Sequence, residues 1–142
     1  MKIGIILATK GMSVITIRPE QSLGEAVALL SKHNIGALVV VDAAGKPVGI
    51  LSERDIVRQA AKSKDVFAAS INQVMTKQVV TGTPHDDLHS VLQTMTDGHF
   101  RHLPVVDEGK LVGIVSIGDL VKAQLNEYKG EIDTLQTLVS KG

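Results

Sequence analysis

Two short strings carry the most chemical promise in this chain, Ser52-Glu53-Arg54-Asp55 and Ser116-Ile117-Gly118-Asp119. Each follows an apolar run that reads as a buried strand, Gly49-Ile50-Leu51 or Gly113-Ile114-Val115, and each opens what reads as a helix. Ser-x-x-Asp at such a junction has two uses. As a capping box, the serine hydroxyl accepts from the third helical amide and the acid reaches back to the serine amide, worth about 1 kcal/mol per cap. As a ligand site, the free amides of the helix N-terminus and the hydroxyl suit a phosphate, while the carboxylate accepts both hydroxyls of a ribose. The doubling favours the ligand use, with the glycine read as a gap through which a ligand approaches the backbone.

Three basic side chains stand near these strings without being duplicated: Arg54, Arg101 and His102. Arg54 and Arg101 read as phosphate contacts at least as well as solvated surface charges. His102 as a general base would need a nucleophile or an orienting acid of its own, so a polar contact to a nucleotide is the better reading. His85 and His89 sit at the exposed start of a helix, and with His99 they do not make a metal-ligand spacing. The sequence has no Walker-type glycine loop and no carboxylate pair placed to hold Mg²⁺ beside a triphosphate. Neither catalysis nor a metal site is expected.

The elements that must position these residues form a repeat. Thr16/Thr81, Pro19/Pro84, Leu23/Leu88 and Leu38/Leu103 keep one offset (84 − 19 = 65). After Asp42 and Asp107 it drops by one (113 − 49 = 64), a deletion in a turn, where it costs least. In each copy a short opening strand, Val14 to Ile17 or Val79 to Val80, leads to an N-cap, Ser22 or Asp87. An amphipathic helix follows, striped by Leu23, Ala26, Val27 and Leu30 or by Leu88, Val91, Leu92 and Met95. Next come two strands around Asp42-Ala43-Ala44-Gly45 or Asp107-Glu108-Gly109. A closing helix runs from Asp55 to about Ala61, or from Asp119 to about Asn126.

The pattern predicts an α+β fold of two β-α-β-β-α repeats packed sheet to sheet about a pseudo-twofold axis. A unit of under about 50 residues buries too little apolar surface alone, and the cleft between two such units is the natural ligand site. Residues 1–77 form the first repeat with an N-terminal segment and a linker, Lys62 to Lys77, holding a helical turn near Val66 to Val74. Residues 78–126 form the second repeat. Residues 127–142 form a C-terminal amphipathic helix striped by Ile132, Leu135, Leu138 and Val139.

The order of elements, the doubled Gly-Ile-x-Ser-x-x-Asp and the string Arg101-His102-Leu103-Pro104-Val105-Val106-Asp107 resemble the paired cystathionine-β-synthase (CBS) domains of a Bateman module, over roughly Val14 to Leu125. The resemblance implies a regulatory binding protein, not an enzyme, with no catalytic cofactor. Its cleft would hold AMP, ADP, ATP or NAD(H), with S-adenosylmethionine in second place. Carried over by position, Asp55 and Asp119 would hold riboses, and Ser52 and Ser116 phosphates. One adenine would lie against Ile15 and Thr16 with Ile35, Gly36, Ala37 and Leu38, the other against Val80 and Thr81 with His102, Leu103 and Pro104. Gly118 stands where the first copy has Arg54, and Gly36-Ala37 where the second has Arg101-His102, so the two sites cannot be chemically equal.

The resemblance further implies a homodimer of pairs. With no effector domain in the sequence, the output is expected to act in trans on an unknown effector protein. The alternative is a constitutive dimerisation or scaffold protein with vestigial sites. Composition excludes other classes. Lys+Arg 15 against Asp+Glu 15 leaves no basic field for nucleic acid, and aromatics at 2% with Trp 0 leave no stacking platform, so a bound base must lie between aliphatic side chains. Cys 0 excludes disulfides and thiolate metal sites and suits a reducing compartment. The apolar Ile3 to Ala8 is too short to span a membrane, so the expected location is the cytoplasm.

Overall fold

The computed structural model describes residues 1–11 and 13–141. Met12, inside the predicted segment 1–77, and Gly142, the last residue of the predicted helix 127–142, lie outside the described residues. The elements are α1 (Ile3–Lys10), β1 (Thr16–Ile17), α2 (Leu23–His33), β2 (Ala37–Val41), β3 (Pro47–Ser52), α3 (Glu53–Lys62), a 3₁₀ turn (Val66–Ala68), α4 (Ile71–Val74), α5 (Leu88–Gly98), β4 (His102–Asp107), β5 (Lys110–Ser116) and α6 (Ile117–Lys141). Helices and two small sheets alternate as the doubled pattern predicts. One sheet is ordered β1-β2-β3, with β1 parallel and β3 antiparallel to β2, and the other is the hairpin β4-β5.

The caps set the helices in matched places. Ser22 accepts from the amide of Glu25 at 3.2 Å to start α2, and Asp87 accepts from that of Ser90 at 3.1 Å to start α5. Asn34 and His99 end them in the left-handed region, at φ 51° and 58°. The buried stripes are Leu23, Ala26 and Leu30 on α2 and Leu88, Val91 and Met95 on α5.

The second opening strand does not form. Val79 and Val80 are irregular, and among the described residues this segment pairs with β4 by a single parallel bridge, from Gly82 to Val105. The reason is Pro104, which occupies the place that Val39 holds in the first repeat. The next bond of the parallel ladder would be donated by residue 104, and proline has no N–H to give. The first opening strand is also shorter than predicted, Thr16–Ile17 rather than Val14 to Ile17. At the C-terminus the predicted closing helix and the separate amphipathic helix are one element, α6. Gly130 is the weakest residue of the junction, and a lone mid-helix glycine costs only about 1 kcal/mol, too little to end a helix with neither proline nor a left-handed cap to stop it.

The segments that lead into the repeats are exchanged. α1 precedes the first repeat, yet Ile3, Ile6 and Leu7 are buried in the core of the second, with Leu88, Met95, Leu103 and Val115. α4 and Met75 precede the second repeat, yet Ile71 and Met75 are buried in the core of the first, with Leu23, Leu38 and Leu51. Backbone bonds show the symmetry: Leu88 N–H to Met1 O (2.8 Å), Ile3 N–H to Asp86 O and Gly4 N–H to Pro84 O (both 2.9 Å) are matched by Leu23 N–H to Ala69 O, Ile71 N–H to Gln21 O and Asn72 N–H to Pro19 O (all 2.9 Å).

This exchange corrects the reading of the two glycines. A Cβ at Gly49 would lie 2.5 Å from Met75 Sδ, and one at Gly113 would lie 2.5 Å from Leu7 Cδ2. The missing side chains make room for the exchanged lead-ins, not for a ligand. Leu7 is fully buried and has nowhere to retreat. Leu7→Ala is therefore expected to cost about 2 to 5 kcal/mol of stability, and Gly113→Ala about 1 to 3 kcal/mol. In the Leu7→Ala background the Gly113→Ala cost should shrink, because the new methyl then has a cavity to enter. Equal costs in both backgrounds, measured by urea denaturation, would contradict the contact.

Candidate functional site

Both Ser-x-x-Asp strings are closed capping boxes. At the start of α3, Asp55 Oδ2 accepts from the Ser52 amide at 2.9 Å and from its hydroxyl at 3.1 Å, and Ser52 Oγ accepts from the Asp55 amide at 3.3 Å. At the start of α6, Asp119 Oδ2 accepts from the Ser116 amide at 2.9 Å, and Ser116 Oγ accepts from the Asp119 amide at 3.1 Å. The two helices thus begin at Glu53 and Ile117, two residues before the predicted Asp55 and Asp119. In each box the hydrogen-bonded oxygen is Oδ2.

A cleft of about 590 Å³ opens between the repeats at the first box. It brings together Gly36, Ser52, Arg54 and Asp55 from the first repeat with Val80, Arg101 and His102 of the second, all expected from sequence. A Cβ at Gly36 would lie 3.6 Å from His102 Nε2, so here the missing side chain does leave space inside the site. The structure adds Arg58, Gln78 and Phe100 to the lining. Arg58 follows Arg54 by one helical turn, a spacing visible in the sequence.

The other expected residues lie elsewhere. Thr81 lines a smaller cleft of about 370 Å³ with Val80 and Leu103. Leu38 is fully buried in the first core and can offer a ligand only its backbone, while Ala37 and Pro104 are buried. Ile15 and Ile35 pack half-buried on the first core, and Thr16 is exposed on β1.

Asp119 has a partner that the sequence does not reveal, and neither it nor Ser116 lines either of these two clefts. Lys10, the last residue of α1, donates from Nζ to Asp119 Oδ2 at 2.7 Å and to the carbonyl of Ile114 at 3.0 Å. Burial alone would push the Asp119 carboxyl up, but the hydrogen bonds from Lys10 and from Ser116 bring it below its ordinary value. His102, half-buried between the repeats, is shifted down. Burial is the main cause, aided by the charges of Lys10 and Arg101 and opposed by Asp119 and Glu53.

Among the described residues no three His, Asp or Glu side chains are close enough to hold a metal ion. His85, His89 and His99 are dispersed. His85 lines the smaller cleft, His99 the larger, and His89 stacks on Tyr128 of α6 at 6.5 Å. No helix of the described residues is long and apolar enough to cross a membrane.

Two interlocked copies of one small unit, with a cleft between them at the capped start of α3, define a tandem module. The CBS domain matches twice, over residues 7–62 and 71–126, and the chain belongs to the CBS-domain family. It is 39% identical over 124 residues to the CBS domain-containing protein YhcV of Bacillus subtilis, covering 86% of this chain and 87% of that one. The crystal structure of a CBS-domain containing protein from Agrobacterium tumefaciens matches with a TM-score of 0.84 at 42% identity, over 87% of this chain and 99% of that one. The CBS domain pair of protein MJ0100, solved in complex with 5′-methylthioadenosine and S-adenosyl-L-methionine, matches with a TM-score of 0.80 at 31% identity, over 89% and 98% of the two chains. Proteins of this family are in general regulatory and bind ligands.

The electrostatics predict a titration. His102 should have its midpoint below the ordinary 6.5 in a pH series of ring NMR signals. Lys10→Gln should move the midpoint up, and Asp119→Asn should move it down. Because the folded-state value lies below the unfolded one, folding favours the neutral ring. That contribution to stability is complete above about pH 6.5 and fades as pH falls through the folded-state value. A midpoint that ignores both substitutions would separate His102 from this charge cluster.

Proposed function

We propose that this protein is a regulatory module that binds an adenosyl ligand in the cleft between its repeats. The observation that carries the reading is the meeting of Ser52, Arg54 and Asp55 on one repeat with Val80, Arg101 and His102 on the other. Asp55 has its Oδ1 outside the capping bonds of the described residues, which supports its use as an acceptor for a ribose diol. Arg54, Arg58 and Arg101 line the same cleft and favour a phosphorylated ligand such as AMP, ADP, ATP or NAD(H). Val80, exposed and aliphatic, offers a base its apolar contact. The ligands named for the MJ0100 pair share the adenosyl group and support that choice of class. The ligand state would then be read by a partner protein.

Titration calorimetry with AMP, ATP, NADH and S-adenosylmethionine tests the reading. At 100 times its dissociation constant a true ligand should stabilise the fold by about 2.7 kcal/mol. Asp55→Ala should weaken it by about 1.5 to 3 kcal/mol, and the 2′-deoxy ligand should lose affinity for the unaltered protein, which separates the ribose contact from the cap. No binding of any adenosyl ligand at millimolar concentration would leave the two closed boxes as caps alone and favour a scaffold with vestigial sites.

The assembly that fits is a homodimer. On α6, Val121, Leu125, Tyr128, Ile132, Leu135 and Val139 are all exposed and are spaced 4, 3, 4, 3 and 4 apart, the seam of a two-stranded coiled coil. A second copy of the chain is the occupant. Pairing the seams in parallel sets Lys129 beside Gln124 of the partner and Glu131 beside Gln136. The antiparallel pairing that keeps all six layers sets Lys129 against Lys129 and Glu131 against Glu131. Light scattering at micromolar concentration should give twice the chain mass, and Ile132→Asp should shift it to the monomer. A monomeric unaltered protein would refute the dimer.

A further inference from the structure

His102 is the first residue of β4 and pairs with Ser116, so the hairpin of the second repeat fixes where its ring begins. The ring reaches across to the first repeat. A Cβ on Gly36 would lie 3.6 Å from His102 Nε2 and 3.9 Å from the carboxyl carbon of Glu53, so the imidazole and that carboxylate flank the space that Gly36 leaves open. At the equivalent place the first repeat has the buried Ala37, and the ring has no counterpart. Arg101 and Lys10 of α1 oppose a charge on the ring, while Asp119 of α6 and Glu53 of α3 favour one. Arg54, Asp55 and Arg58 of α3, with His99, complete the charged and titratable groups that line the cleft. Burial decides the balance in the free chain, in favour of the neutral ring.

We propose that an anionic ligand binds in this cleft together with a proton taken up by His102, so that the module is occupied more readily as pH falls. The inference rests on the adenosyl reading above and adds a form of regulation to it. A 5′ phosphate drawn to Arg54, Arg58 and Arg101 offsets positive charge that opposes protonation, and it brings negative charge of its own to the ring. Both changes favour the imidazolium, which donates to a phosphate oxygen in a charge-assisted bond stronger than the neutral ring can make. The proton comes from solvent, and no bond of the ligand breaks. A neutral 5′ substituent makes neither change and leaves the ring as it is. A proton held more tightly in the complex makes the ligand bind more tightly in acid, by at most about tenfold per pH unit for one proton. The gain falls between the midpoints of the free and the bound ring; above the bound midpoint and below the free one, affinity no longer follows this group.

The test follows the ring NMR signals of the full chain through a pH series, free, saturated with AMP and saturated with 5′-methylthioadenosine, which lacks the phosphate. The signal absent from His102→Gln identifies the ring, and thermal melts establish that this variant folds. AMP should raise the His102 midpoint by about one pH unit or more, and 5′-methylthioadenosine should leave it where the free chain has it. Calorimetric titration gives the second readout. The ratio of AMP affinities, unaltered chain over His102→Gln, should grow about threefold or more from about pH 8 to about pH 6, and the ratio cancels the titration of the AMP phosphate itself. If AMP leaves the midpoint in place, if both ligands raise it equally, if His99 alone responds, or if the affinity ratio is flat, His102 does not take up the proton and the proposal fails while the adenosyl reading stands. If neither ligand binds the unaltered chain at millimolar concentration, the adenosyl reading itself fails, and this inference with it.

Discussion

The fold depends on two side chains seated over two glycines. Leu7 lies over Gly113 and Met75 over Gly49, and in each case a single added carbon would come within 2.5 Å of the inserted side chain. Each insertion comes from the segment that leads into the opposite repeat, so neither repeat closes its core with its own chain. Burying Ile3 and Leu7 completely contributes about 1.5 to 3 kcal/mol each, a large share of the stability of a unit this small. The halves are tied through their cores, by the exchanged segments.

At the cleft, the residues proposed to meet a ligand also cap a helix. A serine that caps α3 and an aspartate that returns the bond hold the carboxylate in one orientation before any ligand arrives. Such preorganisation reduces the ordering cost of binding. The helix amides and the guanidinium groups of Arg54, Arg58 and Arg101 surround it with positive potential, offset by Glu53 and Asp55. A closed capping box is therefore compatible with a ligand site, since Oδ2 serves the helix and Oδ1 is left to one side.

The duplication is imperfect in ways that have chemical consequences. Pro104 removes one ladder bond and dissolves the second opening strand into an irregular segment, which lets Val80 face the cleft. Arg54 and His102 have no counterparts at the equivalent positions, and Lys10 holds only one of the two carboxylates. Two positions built on one plan thus carry different charges.

Hydrophobic spacing and turn residues, both local in the chain, made the helices inside the repeats, the hairpins, caps and duplicated order legible by reading alone, but not the helix α1. The stripes at Leu23 to Leu30 and Leu88 to Met95, the N-caps Ser22 and Asp87 and the Ser-x-x-Asp boxes are interactions within a few residues, and they stand where the periodicity places them. The loss of the second opening strand was also written in the chain, at Pro104, but in the partner strand rather than in Val79 and Val80 themselves. The contact of Lys10 with Asp119, like the seating of Leu7 over Gly113, joins residues more than a hundred positions apart, and no periodicity reports on it. An apolar stretch such as Ile3 to Leu7 states only that it must be covered. Which repeat covers it was decided in three dimensions, by the seating of Leu7 over Gly113, and that choice also decided which carboxylate receives the lysine.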